Sequence, residues 1–138
     1  MIQKIFVASL MILLNLNALQ AQQLEVVITN VKNDQGQVRV ALFAEENYLK
    51  KSIETKIVKA KAGEMRFTFD PVPSGEYAIN ILHDANENGV LDKSFIGIPK
   101  EGYAFSNNTG KFGAPDFKEA SFRVGEKNET ILLTLIYY

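Results

Sequence analysis

The sequence predicts an all-β fold: one antiparallel sandwich of about seven short strands, with one long ordered loop. Three observations carry this expectation. Past residue 21 the apolar residues recur with a period of two, as in strands that bury one face. Clusters of Gly, Pro, Asn and Asp separate those runs. No segment carries an apolar stripe long enough for a stable helix. Short strands punctuated in this way pack as two antiparallel sheets around one core.

The first residues stand apart from that pattern. Lys4 gives a positive start, Ile5 to Leu19 is largely apolar, and Ala21 is a small residue at a cleavage position. This is the layout of a secretory signal peptide. A membrane anchor fits less well, because Asn15, Asn17 and Gln20 interrupt the run and a span needs about 20 predominantly apolar residues. The expected organisation is a signal peptide over 1–21 and one β-sandwich domain over 22–138. The protein is therefore expected to be exported, periplasmic or secreted, with no membrane span left after cleavage.

Strands follow in order. Leu24 to Val31 reads as the first, and Asn33-Asp34-Gln35-Gly36 as the turn after it. Val38, Val40 and Leu42 mark the second, and Glu45 to Ser52 a loop with a short helical turn. Ile53 to Ala60 is the third. Met65, Phe67 and Phe69 form one face of the fourth, which Pro71 and Pro73 are expected to end. Glu76 to His83 is the fifth, with Tyr77, Ile79, Ile81 and His83 on one face. Ala120 to Val124 and Thr130 to Tyr137 complete the set.

Composition excludes several classes of function. With 15 basic and 16 acidic residues the formal charge is −1, and loss of Lys4 on cleavage makes it slightly more acidic. Such a balance leaves no footprint for nucleic acid or an anionic membrane. The chain has no cysteine, which removes disulfides, thiol catalysis, thiolate metal ligands and lipid attachment through an N-terminal cysteine.

The chemistry concentrates in Asp84-Ala85-Asn86-Glu87-Asn88-Gly89-Val90-Leu91-Asp92. Oxygen-bearing side chains alternate there as in a calcium loop, whose ligands fall at positions one, three, five, seven, nine and twelve with glycine at six. Asp84, Asn86, Asn88, the carbonyl of Val90, and Asp92 match, with Gly89 in the sixth place. The twelfth position is Phe95, which cannot coordinate, and the flanks read as strand and loop, so this is not an EF-hand. Glu87 or Glu101 could complete the set. With two carboxylates in the loop itself, affinity belongs in the range of weak extracellular modules, about 10⁻⁴–10⁻³ M. The competing reading is a plain polar turn, since Asp, Asn and Gly favour turns. Calcium is the expected cofactor.

Lys93 to Lys118 is longer than an ordinary loop and rich in aromatics. It is expected to fold over one end of the sandwich beside the Asp84–Asp92 segment, with most of its aromatics plugging that end. His83, Tyr103, Phe105, Ser106, Asn107 and Asn108 form a candidate ligand surface. His83 is the one histidine of the chain. As a base it would need a serine, Ser74 or Ser106, and Asp84 or Asp92 to orient it. No Gly-x-Ser-x-Gly motif supports that arrangement.

Two joined motifs carry a resemblance. His83-Asp84-x-Asn86-x-Asn88-Gly89-x-Leu91-Asp92 is followed by Gly97-x-Pro99-x-Glu101-Gly102-Tyr103-x-Phe105-Ser106-Asn107-Asn108. Together with Pro73-x-Gly75-x-Tyr77 they resemble the exported bacterial family known as domain of unknown function 2141, over nearly the whole mature chain. The resemblance implies a signal peptide and a small β-rich domain, with no established activity. Pro73-x-Gly75-x-Tyr77 and the Asp/Asn loop are also loosely similar to transthyretin-like and collagen-adhesin B-type modules, some of which bind calcium through comparable loops. That similarity implies an immunoglobulin-like or transthyretin-like sandwich. The expected function is a non-enzymatic envelope module that binds a small ligand or partner protein. The alternatives are a small hydrolase built on His83, Asp84 and a serine, or a structural and adhesive envelope component.

Overall fold

The computed structural model describes residues 22–138; the segment read as a signal peptide lies outside them. The described chain is an all-β sandwich of eight strands. The first sheet has the order β4-β1-β8, from Gly63–Val72, Gln22–Val31 and Glu129–Thr134. The second runs β3-β2-β5-β6, from Glu54–Lys59, Gln37–Phe43, Gly75–Asp84 and Gly102–Phe105, with β7 (Phe122–Val124) also paired to β5. All pairs are antiparallel except β1 with β8, which run parallel from Leu24↔Glu129 to Thr29↔Thr134. Among the described residues no helix is long and apolar enough to cross a membrane.

The period-two pattern becomes the core. Leu24, Val26 and Ile28 of β1 with Phe67 and Phe69 of β4 meet Val38, Val40 and Leu42 of β2 and Ile79 and Ile81 of β5. Each such side chain contributes about 1.5–3 kcal/mol by leaving water. The edge strand β3 stays half open, with Ile57 and Val58 exposed, and its charged Glu54, Lys56 and Lys59 guard the edge.

Three departures from the sequence reading have physical causes. Pro71 does not end β4, which runs on to Val72; Val72 pairs with Gln22 across a register irregularity. An edge strand tolerates a residue without an N–H at such a place. Ala120 closes a helical turn, α1 (Phe117–Ala120), rather than opening a strand. Asp116 caps that turn by accepting the Glu119 N–H at 2.9 Å. The stretch from Lys93 to Lys118 is ordered, but it contains the additional strand β6. Gly102 opens β6 because a Cβ there would lie 2.4 Å from the Tyr137 ring, which crosses the strand at that point.

Candidate functional site

The loop from Asp84 to Asp92 begins where β5 ends, and β6 returns beside it through Asn80↔Phe105 to His83↔Gly102. Asp84 is fully buried. Its Oδ1 accepts the Asn88 N–H at 3.2 Å; its Oδ2 accepts the Gly89 N–H at 2.8 Å and the Gln37 side-chain amide at 3.2 Å. Gly89 has φ +82°, the left-handed conformation that the Asn-Gly pair predicts. Asn86 Oδ1 accepts the Asn88 N–H at 3.3 Å, and Asn88 Oδ1 the exposed Val90 N–H at 3.1 Å. Alternate oxygens thus organise the backbone, as side chains do in Asx turns.

Asp92 and Glu101 close the loop. Asn86 Nδ2 donates to Asp92 Oδ2 at 2.7 Å, and Asn88 Nδ2 donates to Asp92 Oδ1 at 2.9 Å. These amide bonds are the main cause that holds the Asp92 carboxyl below its ordinary value of 3.8, with a smaller contribution from Lys100. Glu101, buried at 7% exposure, accepts the Ala85 N–H at 2.7 Å through Oε2 and the Asp92 N–H at 3.0 Å through Oε1. One carboxylate therefore clamps both ends of the loop. Asp84, Asn86, Asn88, Asp92 and Glu101 thus share one hydrogen-bonded loop. Glu87 is exposed and joins the loop through its backbone, its N–H donating to the Asp84 carbonyl at 3.3 Å.

The donor set is all oxygen, which suits a hard cation such as calcium. No Lys, Arg or His forms an ion pair with Asp84, Asp92 or Glu101 among the described residues; the ion pairs found join Lys56 to Glu54 and Arg66 to Glu25 and Glu64. In the same set no three His, Cys, Asp or Glu side chains lie close enough together to hold a metal. The NH₂ groups of Asn86 and Asn88 stand against Asp92 where a cation would, so coordination requires both amides to turn. The polar hollow beside them, about 450 Å³, is lined by Asn86, Asp92 and Glu101 but also by Lys93 and Lys100.

The candidate ligand surface divides in two. His83 is buried; its Nε2 faces the Gln35 carbonyl at 2.8 Å and its Nδ1 the Tyr137 hydroxyl at 2.7 Å. The carbonyl can only accept, so Nε2 carries the hydrogen. Ser106 is buried and bonded to the Ile79 N–H at 2.9 Å and to the Ala120 carbonyl. Ser74 donates to the Gly125 carbonyl at 2.7 Å. No serine hydroxyl reaches His83, so the hydrolase constellation is not assembled among the described residues. Asn107 bonds the carbonyls of Glu119 and Ser121, and Asn108 the Thr134 N–H. Of the candidate surface, His83, Ser106, Asn107 and Asn108 therefore fasten the fold.

Tyr103 and Phe105 do face an open apolar pocket of about 400 Å³, with Leu91, Ile98, Phe112 and Tyr138 around them. The last four were not foreseen as site residues, and the aromatics expected to plug the sandwich end do not all do so. Phe95 and Phe112 are fully exposed. The signal lay in Phe95-Ile96-Gly97 and Phe112-Gly113: an apolar residue beside a turn glycine has no strand face on which to bury itself.

A bacterial family model, described as an uncharacterized protein conserved in bacteria and designated DUF2141, matches residues 26–132. Neither a curated protein nor a solved structure matches the chain.

Proposed function

The chain belongs to that bacterial family, and from this premise we propose that it is an exported, non-enzymatic binding module whose Asp84–Asp92 loop is braced by a weak structural calcium ion. The finer immunoglobulin-like or transthyretin-like assignment and the envelope location are parts of the same reading. One observation carries it. Glu101 ties both ends of the polar loop and stands next to Gly102–Phe105, the strand that floors the apolar pocket. Whatever fixes the loop fixes the floor of the binding surface.

The cation would be held by Asp84, Asp92 and Glu101 with the oxygens of Asn86, Asn88 and the Val90 carbonyl. Buried Asp84 and Glu101 lack an ion-pair partner among the described residues, and a divalent cation would supply the missing positive charge. The neighbouring Lys93 and Lys100 oppose it, which keeps the expected Kd near about 10⁻³ M. An ion that binds only the folded state stabilises it by about 2.7 kcal/mol at one hundred times Kd. The melting temperature should rise with calcium and return on chelation. A melting temperature that stays flat up to tens of millimolar calcium removes the metal from this reading.

A further inference from the structure

We propose that the apolar pocket binds a small amphipathic carboxylate, its aliphatic body laid between the rings and its head against Lys93 and Lys111. This deepens the binding-module part of the reading above and requires no metal.

The pocket has the dimensions of a ligand site, about 400 Å³ within the usual range of about 300–1,000 Å³. Its floor is rigid. Tyr103 and Phe105 meet edge to face at 6.1 Å, and Tyr138 stacks on Tyr103 at 6.5 Å. The Tyr103 hydroxyl donates to the Gly110 carbonyl at 2.8 Å, and the Tyr138 hydroxyl donates to the Lys111 carbonyl. Burial pushes the Tyr103 phenol up to about 12, so it stays a neutral donor. With both phenol hydrogens spent on backbone carbonyls, the buried Tyr103 and Phe105 close the floor, and the exposed Tyr138 offers a ring face rather than a donor. The wall residue Phe112 is fully exposed, and Ile98 is 46% exposed. Large apolar side chains held out in water around a concavity mark a binding surface.

Charge decides the class of ligand. Lys93 and Lys111 line the pocket, and no Asp or Glu side chain does. Neither lysine forms an ion pair among the described residues. A lysine lays its methylenes on apolar surface and keeps its ammonium at the water boundary, so an apolar ligand entering here meets positive charge at the rim. A carboxylate with an alkyl chain satisfies both features. A cationic amphiphile satisfies only the first. Two lysines around a small concavity fit a single small anion better than an extended anionic bilayer, which gains about 1 kcal/mol per basic residue and needs several.

The test is calorimetric titration of the purified protein, in chelator, with decanoate, 1-decanol and decylammonium below their aggregation limits. Decanoate should saturate one site and bind about tenfold more tightly than decylammonium, with decanol between them. Lys93→Gln with Lys111→Gln should bring decanoate down to decanol and leave decanol unchanged. Phe112→Ser, at a fully exposed position, should weaken all three without altering the melting temperature. Equal binding of the three probes overturns the proposal. So does failure of decanoate to saturate, cosedimentation with phosphatidylglycerol vesicles without decanoate binding, or pairing of two copies that closes the pocket. Because chelator is present, decanoate binding without any calcium effect on melting would sink only the metal, and the reverse would sink only this ligand.

Discussion

Two neighbouring regions at the β5–β6 end of the sandwich follow opposite rules. From Asp84 to Asp92 the side-chain oxygens of Asp84, Asn86, Asn88 and Asp92 are engaged within the loop itself or by Gln37, and Glu101 accepts the Ala85 and Asp92 N–H groups. Among the described residues no buried side-chain N or O lacks a partner. The turns around Phe95 and Phe112 do the reverse and leave large apolar groups in water. A closed polar network is expensive to disturb and offers few free groups to an organic ligand. Open apolar surface costs nothing to disturb and gains when something covers it. The motif that stands out in the sequence thus acts as the brace, and the less conspicuous turns carry the surface that can act.

The largest effect that tests this contrast is at Glu101. Glu101→Gln keeps the shape but sets an NH₂ against either the Ala85 or the Asp92 N–H, both of which now donate to the carboxylate. A buried donor left unmatched costs about 1–3 kcal/mol, so urea unfolding should show a loss of about 2 kcal/mol. If the variant unfolds like the parent, the loop is not braced by this clamp and the contrast fails.

A smaller effect concerns acid. The Asp92 carboxyl is held below 3.8, first by Asn88 and Asn86. A group whose folded value is depressed stabilises the protein above its unfolded value and loses that contribution as pH falls through the folded value. Compared with Asp92→Asn, the parent should therefore be more stable at pH 5 and above. That advantage should shrink steadily below pH 3.8. A constant gap between the two unfolding curves from about pH 6 to about pH 2 would show that the amide clasp does not depend on the charge.

Much of this was legible in the chain. Val38, Val40, Ile79 and Ile81 announce buried strand faces by alternation alone, and Asp84, Asn86, Asn88 and Asp92 announce a loop that converges on one point. Glu101 could be named only alongside Glu87, as one of two carboxylates available once Phe95 fails at the twelfth position. Strand β6 was hidden, since Gly102-Tyr103-Ala104-Phe105 is buried throughout and shows no alternation. His83 and Ser106 misled for a related reason. A polar residue beside an apolar run looks available in sequence, whereas its partners, the Gln35 carbonyl and the Ile79 N–H, come from distant parts of the chain. Exposure of Phe95 and Phe112 left only the turn glycines beside them as a signal, because composition records that a segment is apolar and not whether the fold has room for it.

The smallest expected effect is the sharpest discriminator between the two regions. Phe95→Ser and Phe112→Ser each remove a large apolar side chain, which in a core would cost about 3–5 kcal/mol. Both rings are fully exposed, so nothing is unburied and no cavity forms. Surface changes away from special features stay within about 0.5 kcal/mol. The double variant should match the parent in urea midpoint and slope while its exposed apolar surface shrinks, seen as weaker binding of a hydrophobic dye. A loss of 2 kcal/mol or more would mean that these rings are buried in solution and that the polar loop and the apolar turns are one packed unit. Unchanged stability with reduced dye binding keeps them distinct, with Glu101 as the brace and Phe112 as the contact surface.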